Sequence, residues 1–385
     1  MKYELAASSW DSAETDAIRR VVDSGFYSMG NEVLEFERRF ADYLGSKHCV
    51  MVNSGSSANL LMVASLFYKR ENPLKRGDEV IVPAVSWPTT YYPLHQHGLK
   101  LKFVDIDRNT LNFDLNALEN AISPNTRLIF AVNLLGNSND YDAIEKMIAG
   151  RDIALIEDNC ESMGGEWNGR KLGTIGLTGS FSTYFSHHMS TMEGGVVSTD
   201  DEELYHILLS IRSHGWTRHL PEQNLVCRKH TDPFEESFRF VLPGYNVRPT
   251  EIAGAIGTEQ LKKLPGFIEA RRRNAVLFNE LFGNDPRFTV QRELGKSSWF
   301  GFSLLINDDA VCRRSVIEKL SKAGIETRPI VAGNFLKKEV VRGLDCEAAG
   351  PLPNADYIDE RGFFVGNHHF DITDQLMYLH KTLSD

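Results

Sequence analysis

The sequence predicts an α/β protein in two parts: a large domain over residues 1–249 with a mixed, mostly parallel sheet between helices, and a smaller C-terminal α+β domain over 250–385. Two observations predict it. Short apolar, β-branched runs alternate with helical patterns through the first part of the chain, as a parallel sheet with crossover helices requires. After Ile175 the alternation gives way to short strand-like pieces, and from Thr250 a long amphipathic helix follows. At 385 residues there is enough apolar material for two ordinary cores.

In order, strands are expected at 48–52, 79–83, 102–105, 127–132 and 153–157, with helices at 57–68, 89–97, 115–121 and 143–149 between them. Shorter strands follow at 179–184 and 195–199. A helix over 202–213 opens after Asp200 and Asp201, whose charges suit a helix N-terminus. The smaller domain is read as the long helix, a strand at 299–306, a helix at 310–322, a strand at 326–330 and a last helix at 373–382. Arg271, Arg272 and Arg273 on the long helix read most simply as a solvated face, with an anion site as the alternative.

With 42 Lys and Arg against 52 Asp and Glu, the net charge of -10 argues against a general nucleic-acid binder, which needs a basic stripe to displace counterions. Any anionic ligand must be held by a local site. Residues 1–20 are acidic and have no apolar centre, so neither a secretory leader nor a membrane span is expected there, and the expected location is the cytoplasm. The five cysteines include no Cys-x-x-Cys pair and are expected to be buried thiols, not a disulfide framework or a structural zinc site.

Three segments carry chemistry. The turn Asn53-Ser54-Gly55-Ser56-Ser57 joins a strand to a helix, where free N–H groups and the helix dipole receive a phosphate; it is equally the composition of an ordinary N-cap. Leu155-Ile156-Glu157-Asp158 ends in acid at the carboxyl edge of the sheet, where open α/β folds bind ligands. A carboxylate there can cap a helix, or hold a ring nitrogen protonated, which a pyridoxal cofactor needs to act as an electron sink. In 180–195, His187 and His188 precede Glu193-Gly194-Gly195 at a spacing unlike the familiar zinc patterns, so no metal is expected, and hydrogen-bonded structural histidines remain the alternative.

Taken together, these segments resemble the sugar aminotransferase branch of the pyridoxal-phosphate superfamily, which has the aspartate aminotransferase (fold type I) architecture. Gly55 and Ser56 match its phosphate turn, Asp158 its Glu-Asp strand end, and Ser182 through Gly195 its Ser-Phe-x-x-x-Lys segment and Glu-Gly-Gly turn. Leu242 through Pro249 match its Gly-Tyr-Asn-x-Arg element, so the likeness covers nearly the whole chain.

One departure stands out. Six residues before Glu193, where that family places its Schiff-base lysine, this chain has His187, and no lysine occurs between Leu172 and Arg228. An imidazole cannot form the stable imine of a primary amine, so pyridoxal or pyridoxamine phosphate would be bound without a covalent tether. The resemblance then implies a dehydratase: His187 as base and acid, GDP-4-keto-6-deoxy-D-mannose losing its C3 hydroxyl on the way to colitose, an O-antigen sugar, and L-glutamate renewing the pyridoxamine form.

The same resemblance places Asp158 on the ring nitrogen, Glu161 at the ring hydroxyl and Trp87 stacked on the ring. It puts Gly55, Ser56 and Ser182 on the phosphate, with Asn246 added from the other subunit of a homodimer. His214, Trp216, Arg218 and Arg328 are candidates for the substrate's charged groups. An ordinary aminotransferase that recruits a lysine from elsewhere in the fold, and a non-catalytic cofactor-binding relative, are the competing readings.

Overall fold

The computed structural model describes residues 1–384, and its main element is a sheet of eight strands. In chain order the strands are β1 (His48–Val52), β2 (Glu79–Pro83), β3 (Lys100–Val104), β4 (Thr126–Val132), β5 (Ala154–Asp158), β6 (Glu166–Trp167), β7 (Arg170–Lys171), β8 (Thr178–Ser182), β9 (Gly195–Thr199), β10 (Phe288–Val290), β11 (Gly301–Ile306), β12 (Cys346–Ala348) and β13 (Gly362–Gly366). The large sheet runs β1-β9-β8-β5-β4-β2-β3-β12; β9 is antiparallel to both neighbours and the other pairs are parallel. Its central strands are buried almost throughout, because helices cover both faces.

The helices are α1 (Ser12–Ser24), α2 (Asn31–Leu44), α3 (Gly55–Leu66), α4 (Pro88–Gln96), α5 (Leu115–Ala121), α6 (Tyr141–Ile148), α7 (Glu202–Ile211), α8 (Pro233–Ser237), α9 (Glu251–Phe282), α10 (Arg313–Lys322), α11 (Pro353–Arg361) and α12 (Thr373–Ser384). Their starts follow local chemistry: Ser54, Asp114, Asp140, Asp201 and Thr250 each accept a hydrogen bond from a first-turn N–H. Leu61, Met62, Val63 and Ala64 are all fully buried, so α3 is apolar on every side and lies inside the large domain.

A three-stranded antiparallel sheet, β10-β11-β13, forms the second layer with α10, α12 and the end of α9 around Phe278, Phe302, Leu304 and Val365. The chain crosses the 249/250 boundary in both directions. Tyr3 is buried in this second core, and its N–H donates to the Gly324 carbonyl at 3.0 Å, while β12 pairs with β3 at the edge of the large sheet.

Several sequence expectations need correction. No strand forms over 326–330: Arg328 makes a single bridge to Phe364, because Pro329 has no N–H for a ladder and Val331 turns away at φ 43°. The elements α1, α2 and β12 were not anticipated. Cys49 is a buried thiol, but Cys160, Cys227 and Cys346 are half-buried and Cys312 is exposed ahead of α10. Of the arginine triplet only Arg273 is solvated, paired with Glu269 at 2.8 Å. Arg271 is buried on the stripe of Ile268, Ala275 and Phe278, and Arg272 donates to the Ser297 and Gly164 carbonyls at 2.9 and 3.0 Å. Among the described residues no helix is long and apolar enough to cross a membrane.

At the β1 edge of the large sheet, one ion pair ties three elements. Arg212, just past α7, donates through Nη1 to Glu37 Oε1 of α2 and to the Met51 carbonyl of β1 at 2.8 Å, and the Met51 N–H donates to Glu37 at 2.7 Å. Both side chains are buried. Replacing Arg212 by Leu strands the Glu37 carboxylate in the interior and is expected to cost about 3–5 kcal/mol, measured by urea unfolding.

Candidate active site

The carboxyl ends of β1, β5 and β8 converge on the start of α3. Ser54 caps that helix by accepting from the Ser57 N–H at 3.1 Å, which leaves the N–H groups of Gly55 and Ser56 with no protein acceptor at the positive end of the helix dipole. Residue 55 must be glycine: a Cβ there would lie 2.6 Å from the Ser182 Cβ and 3.0 Å from the Cys160 Sγ. The Ser182 hydroxyl and two free amides therefore share one corner.

Asp158, the last residue of β5, is 5% exposed. Asn59 Nδ2 and Thr90 Oγ1 each donate to its Oδ2 at 2.8 Å, and the Cys160 N–H donates to Oδ1 at 3.1 Å. A carboxylate accepts about four hydrogen bonds, so one further donor from the cavity can be received. Asn59 lies one helical turn beyond Gly55, which explains how a single α3 face serves both corners. Glu161 accepts from the Leu135 N–H at 3.1 Å; burial, with Asp158 nearby, pushes its carboxyl up to about 7.

His187 stands on the loop between β8 and β9. The loop closes through Thr183 N–H to the Gly194 carbonyl and Thr191 N–H to the Thr183 carbonyl, both 2.9 Å. Its glycines are sterically required: a Cβ on Gly195 would come 2.3 Å from the Ser54 carbonyl, and one on Gly194 would come 2.4 Å from Thr183 Oγ1. Burial, and secondarily the charge of Arg271, hold the His187 imidazole down to about 4, and its Nδ1 is buried with no partner. The ring of Phe300 lies 5.3 Å from it. His188 points the other way, its Nε2 3.2 Å from the Ser298 carbonyl.

Gly55, Ser56, Trp87, Asp158, Glu161, Ser182, His187 and Arg328 line one cavity of about 780 Å³. None of its lining residues is lysine. Asn246, His214, Trp216 and Arg218 lie outside it, on a separate excursion of the chain. There Ser213 bridges to Asn246, exposed His214 sits at φ 64°, and Trp216 donates to the Ser237 carbonyl at 2.9 Å beneath the Arg218 guanidinium. Sequence reasoning did not place Asn59, Thr90, Cys160 or Phe300 in the site; for Asn59 the signal was its i+4 spacing from Gly55.

A family model described as the DegT/DnrJ/EryC1/StrS aminotransferase family matches residues 8–377. The chain belongs to that family. It is 58% identical over 386 residues to GDP-4-keto-6-deoxy-D-mannose 3-dehydratase of Yersinia pseudotuberculosis, covering 100% of this chain and 98% of the relative. A solved structure of the E. coli GDP-4-keto-6-deoxy-D-mannose-3-dehydratase with bound hydrated PLP is 56% identical, with a TM-score of 0.98 over 100% of this chain and 99% of that one. A GDP-4-keto-6-deoxymannose-3-dehydratase with a trapped PLP-glutamate geminal diamine matches with the same TM-score of 0.98 and 56% identity, over 99% of this chain and 100% of that one.

The cavity fits the family's phosphorylated pyridine. Two unpartnered amides and a hydroxyl face the phosphate corner, Asp158 has acceptor capacity left, and the indole of Trp87, 57% exposed, offers a flat apolar face.

Glu161 is protonated well above its ordinary range, so its contribution to stability is complete below about 4.5 and is lost as pH rises through about 7. Glu161→Gln, neutral at every pH, is expected to match the wild-type melting temperature at pH 5 and exceed it by a few degrees at pH 8, in thermal unfolding of the cofactor-free chain.

Proposed function

We propose that this chain removes the C3 hydroxyl of GDP-4-keto-6-deoxy-D-mannose, using pyridoxamine phosphate that L-glutamate renews. The observation that carries the reading is a cofactor-shaped cavity with His187 where the family's lysine stands and no lysine among its walls. Gly55, Ser56 and Ser182 would hold the phosphate, Asp158 the ring nitrogen, Glu161 the ring hydroxyl, and Trp87 the ring face. Bound there, the group supplies an amine for the keto carbon and a ring that accepts the electrons released beside it.

The chain's own part is proton handling and containment. His187, uncharged at neutral pH, accepts the proton at its imidazole nitrogen and, once charged, donates it to the departing hydroxyl. Asp158, held by Asn59 and Thr90, would turn its remaining acceptor capacity to the ring nitrogen. Lacking a primary amine at this place, the cavity has nothing to recapture the cofactor aldehyde, so the dehydrated sugar would leave carrying the transferred nitrogen, and water would hydrolyse it to the deoxy ketone and ammonia while L-glutamate resupplies the amine. An aminotransferase with a recruited lysine is disfavoured by the lysine-free wall.

We further place Asn246, His214, Trp216 and Arg218 at the cavity of a second copy of the chain, in a two-fold homodimer. Tyr184 and Phe185 support this, because both line the cavity yet leave 44% and 47% of their surface to solvent. The enclosed domain units are taken as 1–249 and 250–385, with the N-terminal residues around Tyr3 and the strand β12 exchanged between them.

Incubated with pyridoxal phosphate, L-glutamate and GDP-4-keto-6-deoxy-D-mannose, the protein is expected to yield a product that has lost oxygen and gained no nitrogen, by mass and NMR; an amino sugar as product would overturn the reading. In the same assay His187→Lys should lose dehydration by about 100-fold or more and acquire a visible absorbance band that borohydride fixes.

Mixing inactive His187→Asn and Asn246→Asp chains tests the shared cavity. Random re-pairing leaves about a quarter of the sites free of both lesions, so activity should return toward that fraction; none returning from mixed dimers that demonstrably form would refute the sharing.

A further inference from the structure

Arg271 is 5% exposed in the middle of α9, and among the described residues no carboxylate pairs with it. A buried guanidinium without a counter-ion is costly, so its remaining contacts must matter. Its Nη1 donates to two carbonyls, that of Phe300 at 3.1 Å and that of Asn367 at 2.7 Å. The Phe300 peptide is gripped from its other side as well, since its N–H donates to the Leu135 carbonyl at 3.0 Å. Trp299 and Leu135 both sit in the left-handed region, at φ 49° and 53°, a backbone strain that persists only where surrounding contacts over-determine it.

What this clamp presents to the cavity is the Phe300 ring, 5.3 Å from the His187 ring and 5.7 Å from that of His188. Two residues earlier, the Ser298 carbonyl meets His188 Nε2. We propose that Arg271 is a positioning residue for His187: by holding the Phe300 carbonyl it keeps the Phe300 ring as a wall against the imidazole and so fixes the place of that imidazole in the cavity. The proposal rests on His187 being the base of the reaction proposed above.

The charges around His187 agree with this. Asp158 and Glu161 at and after the end of β5, Glu193 from its own loop, and Glu326 and Arg328 from the second layer line the same cavity, with Tyr184 and His188 beside it. None of these acids acts measurably on the imidazole, which is held down to about 4 first by burial and then by Arg271. The Phe300 wall is part of that burial, and the clamp carries the charge.

The test is a histidine NMR titration of the full-length protein, with kcat and KM for dehydration measured alongside. Arg271→Met removes the grip, Arg271→Lys keeps a charged donor for the same carbonyls, and Phe300→Ala removes the wall while leaving the carbonyl in place. The His187 midpoint is expected to rise by about one pH unit or more in Arg271→Met and Phe300→Ala and to stay near wild type in Arg271→Lys. In the first two, kcat should fall about 10- to 100-fold with little change in KM.

A midpoint unmoved in folded Arg271→Met, with only the melting temperature lowered, would make the residue merely structural and overturn the proposal. Movement in Arg271→Met but not in Phe300→Ala would assign the effect to bare charge and overturn it too. If Arg271→Met does not fold, Phe300→Ala and Arg271→Lys decide alone. Absence of dehydration in the wild-type protein would sink the proposed reaction but leave the titration readable.

Discussion

The site depends first on how the Asp158 carboxylate is satisfied. An ionised carboxylate can only accept hydrogen bonds, and burying one without donors is prohibitively costly, so the fold must bring donors to the end of β5. It brings three, the Asn59 amide from α3, the Thr90 hydroxyl from α4 and the Cys160 N–H from the following turn. That requirement sets the position of two helices relative to the sheet. Because Gly55 and Asn59 are on the same helix, fixing Asn59 on Asp158 also fixes where the free amides at the start of α3 point. The phosphate corner and the acidic corner are thus one rigid arrangement.

Close packing then explains the glycines. Gly55 lets α3 approach Ser182, and Gly195 lets β9 pass the Ser54 carbonyl, each at distances that a Cβ would not tolerate. The loop bearing His187 is anchored at both ends by these contacts, so the imidazole enters the cavity from a fixed root. Substituting histidine for lysine at this point changes the available chemistry without requiring a different scaffold. On the proposed reading His187 serves as a general base, and the covalent tether is lost.

The second layer closes the cavity with Phe300, Glu326 and Arg328, and it does so through backbone contacts more than through side-chain pairing. Ser298 and Phe300 donate to the Gly136 and Leu135 carbonyls, and Arg271 reaches from α9 to the Phe300 carbonyl. Leu135 in turn donates to Glu161. Glu161, Phe300 and Arg271 are consequently linked through one strained stretch of main chain, and a shift of the second layer would be felt at His187.

The alternation of strand and helix, the cap of α3, the acidic start of α7 and the spacing of His187 from Glu193 were legible in the sequence, because each depends on residues within a few positions of one another. The side-chain partners of Asp158 were not, since they come from 99 and 68 residues away and only the folded sheet brings them together. Nor was the burial of Arg271, whose charge suggested solvent until the second layer covered that face of α9. The strand expected at 326–330 failed because Pro329 breaks a ladder that hydropathy alone cannot see, while β12 is too short to be read before β3 offers it an edge. The family resemblance singled out His187 as the candidate base; tertiary packing decided what holds it, because burial and long-range hydrogen bonds are properties of the folded chain alone.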